Sequence, residues 1–209
     1  MADLWHGHAR RARAALVVAA LLLAACASTT LRDSWADPSY ARGTFKKWIV
    51  VGVGGGTVSE RTFEDIMVSK LRARGVEAVP GYRFLPEGRA SEAQLDGAVT
   101  TSGADALMMV HLRRVQTRTQ VTTAMVPGPG YGGFGWYGVY GGWYAVPEVR
   151  QYDIATVETT VYEVYGKKLV WSGVTETFDP RSVAQEAPQF CDVVLGALAA
   201  HAMVPAANG

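Results

Sequence analysis

Two cysteines are the strongest nucleophiles in this chain of 209 residues, and only one has neighbours that suit it for chemistry. Cys26 follows Leu23-Ala24-Ala25, small residues closing an apolar run. The thiolate is the reactive form of cysteine, and at this position it can accept a diacylglyceryl group through a thioether. Cleavage before Cys26 would then expose an amine able to take a further acyl chain. A single acyl chain holds a protein only reversibly, whereas two or more approach stable anchoring, because each buried methylene adds about 0.8 kcal/mol. Cys191 sits in an apolar run and reads as a small buried residue. With Cys26 acylated, Cys191 has no partner for an intrachain disulfide.

The other chemistry-bearing residues are dispersed. Gly52-x-Gly54-x-x-Thr57 follows a strand, but Thr57 replaces the third small residue of a dinucleotide fingerprint and the Lys-Ser/Thr ending of a P-loop is missing. A structural strand-to-helix turn is the expectation there. His111 and His201 lack an HExxH or paired-cysteine framework, and no GxSxG stretch marks a serine nucleophile. Glu60, Glu64 and Asp65 read as the solvated face of a helix. The sequence weighs against an enzyme, and it names no catalytic residue, cofactor-binding residue or metal ligand. A pocket gathering His111, Glu176 or Asp179 would raise the alternative, a periplasmic enzyme or small-ligand-binding protein.

The elements that would present Cys26 are plain. Arg10, Arg11 and Arg13 precede the apolar stretch from Ala14 to Cys26. This is the layout of an export signal, and its apolar core is shorter than the roughly 20 residues of a bilayer span. Leu23-Ala24-Ala25-Cys26 resembles the bacterial lipoprotein box, and Ala27 in place of Asp favours outer-membrane sorting in that class. Two other outcomes stay open at this point: ordinary cleavage after Ala27, and a retained apolar anchor.

Three of the twenty basic and one of the nineteen acidic side chains fall within residues 1–25, so residues 26–209 carry a net side-chain charge near −1. No basic field argues for nucleic acid. The division expected is a signal peptide over 1–25, the lipidated cysteine and a polar tether over 26–44, one domain over 45–204 and a tail over 205–209.

Within the domain, residues 45–53 read as a strand covered on both faces. Thr57 and Glu60 have capping-box spacing ahead of a helix carrying Phe63, Ile66, Met67 and Leu71. Residues 76–79 supply a second strand stopped by Pro80, and Ser91 can cap a short helix. A strand over 104–112 continues as the polar, β-branched stretch 113–123, which suits an exposed extension or edge. Gly166-Lys167 joins two further strands, and Pro188 implies a break, a kink or a later start in the last helix. The fold expected is α/β: a single domain whose mixed parallel and antiparallel sheet packs against helices.

Residues 128–144 hold eight glycines and seven aromatics, Tyr131, Phe134, Trp136, Tyr137, Tyr140, Trp143 and Tyr144. Such a stretch can offer contact area to a membrane interface, a partner or a glycan, or fold on itself as a low-complexity insertion.

In aggregate, LAAC at 23–26, SWADPSY at 34–40, FKKWIVVGV at 45–53, RTFEDIMVSKLRARGVEA at 61–78, SGADALMMVHL at 102–112 and LVWSGVTETFDP at 169–180 resemble a family of uncharacterised bacterial lipoproteins with a domain of unknown function. The resemblance implies an envelope lipoprotein of α/β fold and transfers no catalytic residues; the Gly/aromatic insertion departs from it. The expected role is an outer-membrane-anchored periplasmic accessory, scaffold or binding domain. Its partners would be the bilayer, through Cys26, and an envelope protein or glycan. The covalent lipid on Cys26 is the one added group implied.

Overall fold

The computed structural model describes residues 29–40, 43, 45–87, 90–127 and 143–207. Cys26 lies outside them, as do Tyr131, Phe134, Trp136, Tyr137 and Tyr140; Trp143 and Tyr144 enter only through the backbone pairing of a strand.

The first element among the described residues is β1 (Thr29–Ala36). β2 (Lys47–Val53) follows, with Trp48, Ile49 and Val50 fully buried, as expected of a strand covered on both faces. Gly54 and Gly56 take φ of 93° and 80°, a region open to glycine at little cost, and turn the chain into α1 (Thr57–Ala73). β3 (Glu77–Pro80) then pairs parallel with β2. Pro80 is the last residue of β3 and tolerable there because β3 is an edge strand needing no donor on its outer side. α2 (Glu92–Ser102) starts with a complete capping box, Ser91 and Gln94 bonding one another's backbone N–H.

β4 (Ala106–Pro127) runs parallel to β2 as far as His111 and antiparallel to β5 (Trp143–Glu163) along its whole length. β6 (Lys168–Phe178) returns after the Gly166-Lys167 turn, and α3 (Val183–Ala200) packs on α1, β1 and β6. Among the described residues six strands lie in the order β1-β6-β5-β4-β2-β3. These residues form a single α/β domain with a mixed sheet packed against three helices, as the sequence implies. α1 and α3 cover the face bearing Trp48, Val50, Met108, Val161 and Trp171. α2 covers the other face at Ile49 and Val51.

Three local expectations are corrected. The N-cap of α1 is Gly56 with no side-chain cap bond, so the Thr57/Glu60 capping box does not form; the Glu60 carboxylate accepts instead from the Gly54 N–H at 2.9 Å. Pro188 neither breaks α3 nor delays it: the helix starts at Val183 and contains the proline in its second turn. Packing of Ala187, Phe190, Cys191, Val194 and Leu198 outweighs the one hydrogen bond proline forfeits.

The third correction concerns the tether. Residues 29–36 of that stretch are a strand, pairing antiparallel with β6 from Thr29↔Thr177 to Ala36↔Trp171. A register shift between Leu31 and Asp33 interrupts its alternation, which is why the segment reads as polar linker. Beyond β1 the chain stays docked: the Asp37 N–H donates to the Val170 carbonyl at 2.9 Å, and Tyr40 stacks on Phe45 with ring centroids 5.4 Å apart.

Asp37 fastens this corner. Its carboxylate meets Lys168 Nζ at 2.5 Å and accepts from the N–H and hydroxyl of Ser39, both at 2.8 Å. Lys168 first, then Ser39, holds the carboxyl down from 3.8 to about 2. A depressed folded-state pKa means the contact stabilises the fold above pH 3.8 and that this contribution is lost as pH falls through about 2. An NMR titration of the Asp37 carboxyl carbon should give a midpoint near 2 in the native chain and nearer 3.8 in Lys168→Met. Equal midpoints would remove the lysine from the explanation.

Candidate functional site

The glycine turn after β2 is held by two glutamates of α1, and the chain is hollow on both sides of it. Glu64 lies one turn before Met67 and Val68 on the helix face that meets the sheet and is 3% exposed. Its Oε1 accepts from the Gly52 N–H at 2.8 Å and its Oε2 from the Tyr82 N–H at 2.9 Å, with the Gly81 N–H a further donor. The short 3-10 turn Gly81–Arg83 reaches this carboxylate because Gly81 presses directly on β2: a Cβ there would come within 2.8 Å of the Val50 carbonyl. Burial pushes the Glu64 pKa up from its ordinary value, and the three N–H donors oppose that rise. One carboxylate thus joins β2, α1 and the turn after β3. Its oxygens are engaged with backbone, so it is a clamp rather than a free base, and the solvated role expected for it is corrected.

On the face beneath α1 and α3 lies an apolar cavity of about 320 Å³. Phe63 and Phe190, in edge-to-face contact at 5.6 Å, form one wall; Val110, Leu112, Val157, Val183 and Ala187 supply much of the rest. Asp153, Arg181 and Glu186 also border it. The backbone N–H of Arg181 donates to the Glu186 carboxylate at 3.3 Å. A cavity of this lining suits a small apolar group.

On the opposite face a second cavity of about 520 Å³ holds His111, Glu60, Glu64, Arg61, Tyr82 and Glu87 along its walls. Several of these satisfy one another. Arg61 pairs with Glu87 at 2.7 Å and lies over the Tyr82 ring, 5.5 Å from its centroid, while the Tyr82 hydroxyl donates to Asp65 at 2.9 Å. His111 packs beside Gly54, where a Cβ would lie 3.3 Å from the imidazole. This explains a glycine at position 54 by close approach as well as by φ.

The dispersed polar residues are not gathered. Glu176 pairs with Arg32 at 2.8 Å on β6 and β1, Asp179 bonds through its N–H to the Asp153 carbonyl, and His111 sits on β4 with β5 intervening. Among the described residues no group of three or more His, Cys, Asp or Glu is placed to hold a metal. Cys191 is fully buried, and burial pushes its thiol up to about 12, which suits packing rather than chemistry. Also among the described residues, no helix is long and apolar enough to cross a membrane.

No family model matches the chain, and no curated protein matches it significantly. Solved structures to which the chain is similar include a PelC dodecamer from Paraburkholderia phytofirmans, at 16% identity and TM-score 0.42 over 80% of this chain and 97% of that one. Lipoprotein GNA1162 from Neisseria meningitidis is similar at 12% identity and TM-score 0.41, over 74% of this chain and 98% of that one. A PDZ domain protein from Parabacteroides distasonis is similar at 6% and 0.39, over 81% of this chain and 36% of that one. These values transfer no residue role to this chain.

Proposed function

We propose that this chain is an outer-membrane-anchored periplasmic lipoprotein serving as an accessory, scaffold or binding domain of the cell envelope. The observation that carries the reading is Leu23-Ala24-Ala25-Cys26 at the end of a basic-then-apolar leader, with Ala27 after the cysteine. The lipid supplies location and the folded domain supplies recognition. Since β1 begins at Thr29, only about 10 Å of chain separates a lipidated Cys26 from the sheet. The domain would therefore ride close to the bilayer.

Intact mass and membrane fractionation of the protein from its native host, beside Cys26→Ala, test this. The native chain should begin at Cys26, carry diacylglyceryl and N-acyl mass and sediment with membranes, and the variant should lose both. An unlipidated chain beginning after Ala27 and free of membranes in both forms would overturn the anchor. A second reading, a periplasmic ligand-binding domain, is favoured by the 320 Å³ apolar cavity. The same mass measurement under native conditions addresses it: a bound apolar compound of fixed mass supports that reading, and a bare chain counts against it.

A further inference from the structure

β4 and β5 outrun the rest of the sheet. β2 leaves β4 at Val53↔His111, and β6 leaves β5 at Ile154↔Phe178. From Thr117↔Asp153 to Pro127↔Trp143 the two strands continue as eleven successive pairs. At about 3.3 Å per residue this ribbon is roughly 35 Å long. Among the described residues no strand pairs with either of its outer edges. A lone two-stranded ribbon is at best marginal in water, so a segment of this length calls for a surface to lie on.

The register places that surface. Thr29 pairs with Thr177, Thr177 with Ala155 and Ala155 with Val115, so these four residues form one row across β1, β6, β5 and β4. Three strand spacings of about 4.8 Å put Thr29 roughly 15 Å from the base of the ribbon. Cys26 is three residues before Thr29, a reach of about 10 Å. The end of the sheet nearest the lipid attachment is therefore the end from which the ribbon departs.

The ribbon's two faces differ in charge. One carries Val121 and Val149, exposed by 65% and 60%, together with Thr117, Thr119 and Gln151. Its one charge among the described side chains, Asp153 at the base, accepts from the Thr117 hydroxyl at 2.6 Å. The alternate positions place Arg118 and Arg150 on the opposite face. Open strand edges do not occur in the hydrocarbon core, where unpaired N–H and C=O groups find no partner. A ribbon with two such edges can lie along the headgroup boundary but cannot cross the bilayer alone.

We propose that the β4–β5 ribbon lies along the bilayer that holds Cys26, its valine face toward the acyl chains and its arginine face toward headgroups and water. This rests on the anchored reading above. The bilayer is preferred to a second copy because the attachment point and the ribbon base share one end of the sheet.

The test uses the full, lipidated protein from its host in phosphatidylethanolamine/phosphatidylglycerol vesicles, with Val121→Cys or Val149→Cys carrying an environment-sensitive fluorophore. Background labelling is low because Cys26 is blocked as a thioether and Cys191 is buried. Both valine positions should give blue-shifted emission and be quenched by nitroxide lipids more strongly than Arg118→Cys, while Glu92→Cys at the start of α2 should stay water-like. If the valine positions match Glu92→Cys in a preparation whose mass shows the lipid, the ribbon assignment alone fails. A chain without acyl mass overturns the anchor and the ribbon assignment with it. Disulfide-linked copies of unlabelled Val121→Cys, with no lipid quenching of the labelled chain, would overturn the proposal in favour of self-association.

Discussion

Glu64→Ala is expected to lose roughly 3 to 5 kcal/mol of folding stability at pH 7, because it orphans up to three buried N–H donors at about 1 to 3 kcal/mol each. The donors belong to two separate pieces of chain, Gly52 in β2 and the adjacent Gly81 and Tyr82 in the turn after β3, so they cannot re-pair by a small local shift. Both cavities flank the turn this carboxylate holds, and loosening should therefore spread from β2 to the walls formed by Gly52 and Glu60.

Glu64→Gln separates shape from charge: it keeps one carbonyl acceptor and turns an NH2 toward a backbone donor. Burial raises the pKa of Glu64 above the ordinary 4.5. A raised folded-state pKa gives a contribution fully present below pH 4.5 and lost as pH rises through the folded value. The native chain should lose stability relative to Glu64→Gln over that rise, and the glutamine variant should lack this dependence. Urea unfolding at several pH values measures both effects. Glu64→Ala within about 1 kcal/mol of the native chain at pH 7 would show that the carboxylate is not the clamp.

Glu64 also shows where sequence reasoning reached and where it stopped. The β2–α1–β3 unit was legible because Ile49, Val50 and Val51 form an unbroken β-branched run and Phe63, Met67 and Leu71 repeat at helical spacing. The hairpin at Gly166-Lys167 was legible from its turn residues, and the cap at Ser91 from its position before a helical stripe. Its charge alone points Glu64 to the solvated face, yet it precedes Val68 by four residues and Leu71 by seven, which puts it within the buried stripe. That spacing was the available signal.

β1 gave less to read. Its partner β6 lies more than 130 residues downstream, its alternation breaks at Leu31/Asp33, and its outward side chains are polar. Edge strands often carry such composition, since it blunts unwanted pairing. The cavities were not legible because each is assembled from several elements whose relative placement no local pattern encodes.

The second large effect is expected in the core of the antiparallel half, where Trp171 is fully buried over Gly173. A Cβ on Gly173 would run into the indole, reaching Cζ2 at 2.8 Å with Cη2 nearer still. Truncating the ring in Trp171→Ala should cost about 3 to 5 kcal/mol through lost burial and the cavity left behind. Trp171→Phe should cost less, since it keeps an aromatic ring and also removes the indole Nε1–H, which is buried and has no hydrogen-bond partner among the described residues.

Gly173→Ala alone should cost about 1 to 3 kcal/mol by overpacking, because the obstacle is a rigid ring and not the free end of a flexible side chain. The two positions should then couple. In the Trp171→Ala background the new methyl enters vacated space, and the double variant should be more stable than the sum of the single costs predicts, by about 0.5 to 3 kcal/mol. Guanidinium unfolding of the four chains closes the cycle. Strict additivity would mean that Gly173 is small for a reason other than the indole above it. Non-additivity would instead tie the glycine to the tryptophan, in the strand that joins β1 to β5 and so connects the chain nearest Cys26 to the strand that extends as the ribbon.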